Sequence, residues 1–200
     1  QFTIPLDDTL GQLKGVSLEG YVGYIDLNCP YCYALFERIS RWGLADQITG
    51  CMIEHASHVL EGAFDLPQEE LLSKEVFEVH HRAPDIDLSL PPNRCQSTLA
   101  TWLIAVVHEL FPEKVNALRR AIYAALWQSS KNIGDVEVLR QLLREQELPE
   151  EVLSMCKEAP PTHLAWQTNW EQGDFDASIP VLIHPASGRL LIGLADQSTL

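Results

Sequence analysis

Hydrophobic and polar positions divide the chain into three stretches of different period. Residues 1–20 form a lead-in broken by Pro5, Asp7-Asp8, Gly11, Gly15 and Gly20, with room for one short strand. Tyr21 to Leu27 then has the aromatic and β-branched content of a buried strand. Asn28 is a candidate helix cap. Tyr33, Leu35, Phe36, Ile39 and Trp42 recur at helical spacing, which predicts a helix from Pro30 to Trp42 stopped by Gly43. Beyond Gly50, Cys51 to Leu60 reads as a second strand running into a loop. A strand, a helix and a strand within about 40 residues make a βαβ unit with parallel strands and a right-handed crossover.

From 63 to 171 the period is helical almost throughout. Leu66-Pro67 opens one segment, and Pro91-Pro92-Asn93 punctuates before an apolar helix that runs to about Leu110. Phe111-Pro112-Glu113 restarts the chain, with Val115, Leu118, Ala121, Ile122, Ala125 and Leu126 on one face. Gly134-Asp135 caps a helix from Val136 to Glu145, and Pro149 opens a short one. After Gly173 the pattern returns to strand. Ile179 to His184, the turn Pro185 to Gly188, and Arg189 to Gly193 read as a β-hairpin. The expected fold is α/β: a discontinuous unit, 1–62 and 172–200, interrupted by an all-helical insertion, 63–171.

Composition changes this picture little. With 200 residues, 46% hydrophobic and 21% charged, the chain can bury one core or one domain with a large insertion. No apolar run reaches the roughly 18 residues of a membrane-spanning helix. A net charge of −14 repels phosphate backbones and anionic lipid, so neither nucleic acid nor membrane is an expected partner. The sequence starts at Gln1 and shows no signal peptide. The expected compartment is the cytoplasm, or the periplasm where a leader has been cleaved.

The cysteines carry the chemistry. Five is an odd count, unlike a paired secreted framework. Cys51, Cys95 and Cys156 are scattered without histidines at zinc-ligand spacing, so no metal is expected and buried inert thiols are the reading. Cys29-Pro30-Tyr31-Cys32 differs by its placement, directly after an apolar strand and opening a helix. A bare CxxC is also compatible with half a zinc site or chance burial, but this context favours a redox dithiol. The helix N-terminus, with its unsatisfied N–H groups and positive dipole end, favours thiolate at Cys29 and leads to the expectation of an exposed sulfur there. Pro30 suits the first helical position. Cys32, nearly a turn further on, is expected to be more buried and to resolve the mixed disulfide that Cys29 forms. The Pro30-Tyr31 pair tunes that exchange. A proline such as Pro180 at the head of a strand is ordinarily an edge or lead-in feature.

Asp26-Leu27-Asn28-Cys29-Pro30-Tyr31-Cys32-Tyr33 resembles the D-x-x-C-P-x-C-Y signature of the DsbA-like thioredoxin superfamily, in the branch that includes FrnE-type proteins and 2-hydroxychromene-2-carboxylate isomerases. Ala121 to Trp127 and Lys131 to Leu139 are similar to that branch's helical insertion, and Ser178-Ile179-Pro180-Val181 sits at its cis-proline loop. The resemblance covers the chain from about residue 20 onward. It implies a thioredoxin-like fold with a helical insertion. It also implies a disulfide oxidoreductase with Cys29 as nucleophile and Cys32 as resolving thiol, whose Ile179 and Pro180 meet the bound substrate. The expected substrates are protein or small-molecule thiols and disulfides. No resident cofactor is implied, although the Pro-Tyr dipeptide, common in glutaredoxins, leaves glutathione open as a co-substrate. Relatives usually carry a buried acid six residues before the nucleophile, where this chain has Gly23; Asp26 is nearer, and either stands in for it or simply caps or faces solvent. Family chains also usually end in a helix on the sheet, and this sequence reaches Leu200 where that helix would start.

The alternatives are a glutathione-dependent isomerase or kappa-type transferase, which would place Ser at Cys29, and a non-enzymatic binding module. His55 and His58 read as strand-end or surface histidines rather than a base or metal ligands. His80-His81 point apart on a helix. Of Trp102, Trp127, Trp166 and Trp170, most read as core, with one or two over the dithiol. Ser97 and Ser187 lack a nucleophile-elbow context.

Overall fold

The strand Tyr21–Ile25 (β1) is hydrogen-bonded on both edges, and the rest of the fold is arranged around it. In the computed structural model, which describes residues 17–55, 66–92 and 94–194, it leads into helix Pro30–Arg41 (α1) and strand Ile48–Met52 (β2). Helices Leu66–Arg82 (α2), Thr98–Leu110 (α3), Val115–Trp127 (α4), Val136–Glu145 (α5) and Pro161–Gln172 (α6) follow, before strands Val181–His184 (β3) and Arg189–Ile192 (β4). The sheet order is β2-β1-β3-β4. β1 and β2 run parallel, with Tyr21 opposite Ile48, whereas β1–β3 and β3–β4 are antiparallel. The βαβ unit and the hairpin expected from the periodicity are both present, in a thioredoxin-like, mixed α/β fold. Among the described residues no helix is long and apolar enough to cross a membrane.

Helix α1 forms for the reasons its sequence suggests. Pro30 occupies the first turn, and Tyr33, Leu35, Phe36 and Ile39 are buried. Gly43, at φ 71°, supplies the left-handed residue after the last turn. The cap is Cys29 rather than Asn28. Asp135 caps α5 as expected, its side chain accepting the Glu137 N–H. The core collects Ile25, Ile39, Met52, Leu103, Ile104, Leu118 and Trp127, all essentially without solvent exposure.

Two stretches depart from the periodic reading. Strand β2 starts at Ile48, three residues before Cys51, and contains Gly50 instead of following it. A Cβ on Gly50 would lie 2.7 Å from Cζ of Arg119, so this glycine marks a close approach of side chain to backbone, not a strand boundary. Arg119 also donates to the Gly50 carbonyl at 3.1 Å. The second departure is residues 83–92 and 94–97, irregular between α2 and α3 where only Pro91-Pro92-Asn93 was expected to interrupt the helical pattern. Pro84, Pro91 and Pro92 remove backbone donors there. Their neighbours bond to other elements instead: the Tyr33 hydroxyl donates to the Asp87 carbonyl at 2.6 Å, and the Ser89 N–H donates to that of Trp127 at 2.7 Å. This segment is a strap across α1 and α4. Most of the 1–20 lead-in, the second strand's continuation with His58, and residues 195–200 lie outside the described residues.

Candidate active site

The chain leaves β1 through a tight turn. Asp26 Oδ1 accepts the Asn28 N–H at 2.8 Å, an Asx turn, and the Asp26 carbonyl accepts the Cys29 N–H at 3.3 Å. Cys29 then sits in extended geometry, φ −109° and ψ 113°, and its Sγ accepts the Cys32 N–H at 3.3 Å. The sulfur thus takes the capping role that a serine or aspartate oxygen usually fills. Asn28, freed from capping, donates its side-chain amide to the Cys95 carbonyl at 2.9 Å.

Three successive carbonyls of this turn are each held from outside. Tyr123 donates its hydroxyl to Asp26 O at 2.9 Å, Trp127 its indole N–H to Leu27 O at 2.9 Å, and Arg94 a guanidinium N–H to Asn28 O at 2.7 Å. Tyr123 and Trp127 stand four residues apart on one face of α4. Arg94 belongs to the strap and is paired with Glu75 of α2 at 2.5 Å. The helical block therefore fixes the backbone that carries the cysteines. Sequence reasoning read Trp127 as core or groove and gave Tyr123 no role of its own. The available signal was the i, i+4 spacing of two apolar rings with polar tips. Tyr31 is anchored too: its hydroxyl donates to Glu78 at 2.5 Å. Burial first, then that bond and the carboxylate's charge, push the Tyr31 phenol up, so it stays a donor.

Cys32 is fully buried and Cys29 is 4% exposed, so the exposed sulfur expected at Cys29 is not found. The strap, crossing Asn28 through Arg94 and Cys95, covers this end of α1. Burial, and then the neighbouring Cys29, push the Cys32 thiol well above its ordinary value, favouring its protonated form. Cys51, Cys95 and Cys156 are buried free thiols, as expected. Burial pushes Cys51 up to about 12 and Cys156 up to about 11, which leaves them poor nucleophiles. Among the described residues no three His, Cys, Asp or Glu side chains gather as a metal site.

Asp26 does not face solvent. It is 3% exposed, and its Oδ2 accepts both the backbone N–H of His55 at 2.8 Å and the ring Nδ1 at 2.6 Å. With the carboxylate oxygen as acceptor, Nδ1 is the donor, and Nε2 has no partner among the described residues. Burial works against the His55 cation, but the bond to Asp26 and the charges of Asp26 and Cys29 outweigh it, and the imidazole pKa is raised. His55, read from sequence as a strand-end or surface residue, is therefore the half-buried partner of the buried Asp26 beside the dithiol turn. The two residues are 29 apart in sequence, and only the parallel pairing of β1 with β2 brings their strand ends together.

Gly23 is closed to an acid. A Cβ there would lie 2.9 Å from Leu182 Cδ2 and 3.1 Å from Phe36 Cζ. The Ile179–Pro180 peptide bond is cis. With Tyr24 opposite Val181, Pro180 falls next to the end of β1 from which the chain turns toward Cys29. The Gly193 N–H fixes the Pro180 carbonyl at 2.9 Å.

Comparison with known proteins bears on the family and the fold. Residues 22–161 match the model of the DSBA-like thioredoxin domain family. No curated protein matches the sequence. Among solved structures, a candidate DsbA oxidoreductase from Streptomyces coelicolor is similar with a TM-score of 0.64 at 15% identity, covering 90% of this chain and 85% of that one. A 2-hydroxychromene-2-carboxylate isomerase gives 0.61 at 14% identity, over 86% and 88% of the two chains. A candidate protein disulfide isomerase from Nitrosomonas europaea gives 0.58 at 16%, over 82% and 84%. At these identities the likeness concerns the fold.

Proposed function

The chain belongs to the DSBA-like thioredoxin domain family of thiol oxidoreductases and isomerases, and from that premise we propose that it is a thiol–disulfide oxidoreductase with Cys29 as nucleophile and Cys32 as resolving thiol. The observation that carries this reading is the Cys32 N–H donated to Cys29 Sγ at the first turn of α1. A donor aimed at sulfur, together with the helix N-terminus, stabilises negative charge where a thiolate is needed.

The Cys29 thiolate attacks one sulfur of a substrate disulfide. A Cys29–substrate disulfide forms, and the other substrate sulfur leaves as thiolate and takes a proton. Cys32 then loses its proton and attacks Cys29 Sγ, which breaks the mixed disulfide and releases the second substrate thiol. The substrate has gained two electrons and the dithiol has lost them; the reverse sequence oxidises a dithiol substrate. Ile179 and the cis Pro180 present backbone to the bound chain. The substrates are protein or small-molecule thiols and disulfides, and glutathione is the natural probe of the exchange.

Equilibrating the protein in glutathione redox buffers and trapping thiols tests this. The expected result is a Cys29–Cys32 disulfide that forms and is reduced reversibly, with Cys29→Ser abolishing exchange and Cys32→Ser trapping a mixed disulfide. If the two thiols never pair and insulin-type disulfides are not reduced, the reading fails. Isomerisation that survives Cys32→Ala would point instead to a glutathione-dependent isomerase.

A further inference from the structure

The oxidoreductase reading leaves unused one pair, the buried Asp26 with the half-buried His55. Asp26 and His55 stand at the ends of β1 and β2, at the same edge as the dithiol turn. One carboxylate oxygen accepts both the His55 amide and its ring Nδ1, at 2.8 and 2.6 Å. Such a double contact fixes the ring's rotamer and tautomer and turns Nε2 away from Asp26. The other carboxylate oxygen holds the Asn28 N–H, one residue before Cys29, at 2.8 Å. The Asp26 carbonyl receives the Cys29 N–H and the Tyr123 hydroxyl. A single side chain thus ties the imidazole to the loop that carries the nucleophile. The acid implied by the family resemblance has no room at Gly23, and this pair, unlike Arg94 with Glu75, joins a carboxylate of the turn to an imidazole.

We infer that His55, held by Asp26, is a positioning residue for the proposed exchange: as imidazolium it keeps Cys29 in its thiolate form, so the reactivity of Cys29 follows the protonation of His55. The inference rests on the preceding reading only in taking Cys29 as the attacking thiol. The groups that face His55 are consistent with it. Asp26 and Cys29 favour its cationic form, and Arg94 of the strap opposes it. Arg94 is itself paired with Glu75, at 2.5 Å, and bound to the Asn28 carbonyl. Across Asp26 lie Tyr123, whose phenol is pushed far up chiefly by burial, and Cys32, whose thiol is likewise raised by burial. Both are neutral near pH 7. Among the described residues, His55 is therefore the group near Cys29 whose charge changes in that range. No covalent bond between heavy atoms changes: the Cys29 thiol gives its proton to water, and the neutral imidazole of His55 takes one from water to become the imidazolium.

The test uses reduced protein without substrate, so it is independent of whether a physiological disulfide is ever found. In a Cys32→Ser background, the alkylation rate of Cys29 by iodoacetamide is followed from pH 5 to 9. With His55 present, the profile should carry a second step near the imidazole titration. His55→Gln should remove that step and slow alkylation at pH 6 by about ten-fold, the equivalent of one pKa unit. His55→Lys, which fixes the charge, should keep the fast rate at pH 6 and abolish the step. Superimposable profiles for the parent and both variants would overturn the inference. Should the variants fold poorly by circular dichroism, the wild-type chain answers by NMR. Linkage is reciprocal, so the His55 imidazole should titrate higher in the reduced than in the oxidised protein. Equal titration in the two states would overturn the inference as well. If the dithiol cannot be oxidised at all, the oxidoreductase reading fails while the alkylation profile still decides the role of His55.

Discussion

Helix α1 has a buried carboxylate near each end, and the two are answered by different bases. Asp26, just ahead of the helix, meets the imidazole of His55. Glu37, in its second half and 6% exposed, meets Arg41 of the next turn at 3.1 Å and Arg120 of α4 at 2.8 Å. Beside it, Arg38 pairs with Asp85 of the strap at 2.9 Å. A guanidinium stays charged throughout the accessible pH range, so the Glu37 cluster can fasten α1 to α4 but cannot exchange protons. An imidazole changes charge near neutrality, so the Asp26 pair can alter the chemistry of its neighbours. The same helix is thus bolted at one end and chemically adjustable at the other.

The strongest way to break this contrast is to install a carboxylate where the chain has none. Gly23→Asp should destabilise the fold by at least about 3 kcal/mol, because the side chain is both overpacked against Leu182 and Phe36 and left without a base. Urea unfolding would measure it, and a near-neutral result would refute the steric reading of Gly23. Next in size, Glu37→Ala should cost about 2 kcal/mol. That is less than the roughly 3–5 kcal/mol of a fully buried broken pair, because Arg41 and Arg120 are 34% and 50% exposed. The glutathione redox equilibrium of Cys29 and Cys32 should not change. A shift in that equilibrium would mean that the two ends of α1 are coupled.

Tyr123→Phe removes one hydrogen bond to the Asp26 carbonyl and should cost about 1 kcal/mol. Unlike the Glu37 variant, it should also disturb the alkylation profile of Cys29. The smallest effect is the pH dependence of stability, where the two ends should act in opposite directions. The folded-state pKa of Glu37 is lowered: burial opposes this, but the two guanidiniums prevail. Its contribution is present above the ordinary value of 4.5 and lost as pH falls through the folded value. That of His55 is raised, so its contribution is complete below the ordinary 6.5 and lost as pH rises through the folded value. Denaturation midpoints from pH 3 to 9, with Glu37→Gln and His55→Gln each flattening one limb, would check both signs.

Local pattern carried much of the architecture. The strand before Cys29, the helix after it, the Asp135 cap and the closing hairpin follow from period, capping and turn residues, which act over a few neighbours. The reading failed where a distant group overrode local preference. Gly50 sits inside β2 because the Arg119 guanidinium presses on it, and the stretch around Asp87 and Ser89 leaves the helical pattern, with backbone groups satisfied by Tyr33 of α1 and Trp127 of α4.

The candidate site divides along the same line. The placement of the two cysteines at the head of α1 was determined by the sequence, because Cys29, Pro30 and Cys32 need only one helical turn to be placed. The company they keep was decided by tertiary structure alone. Asp26 meets His55 across 29 residues, and Tyr123 and Trp127 reach the turn across 97 and 100. No local period encodes such contacts. They exist because a parallel strand pair and a packed helix bring together side chains whose own neighbourhoods look like an ordinary strand end and an ordinary core.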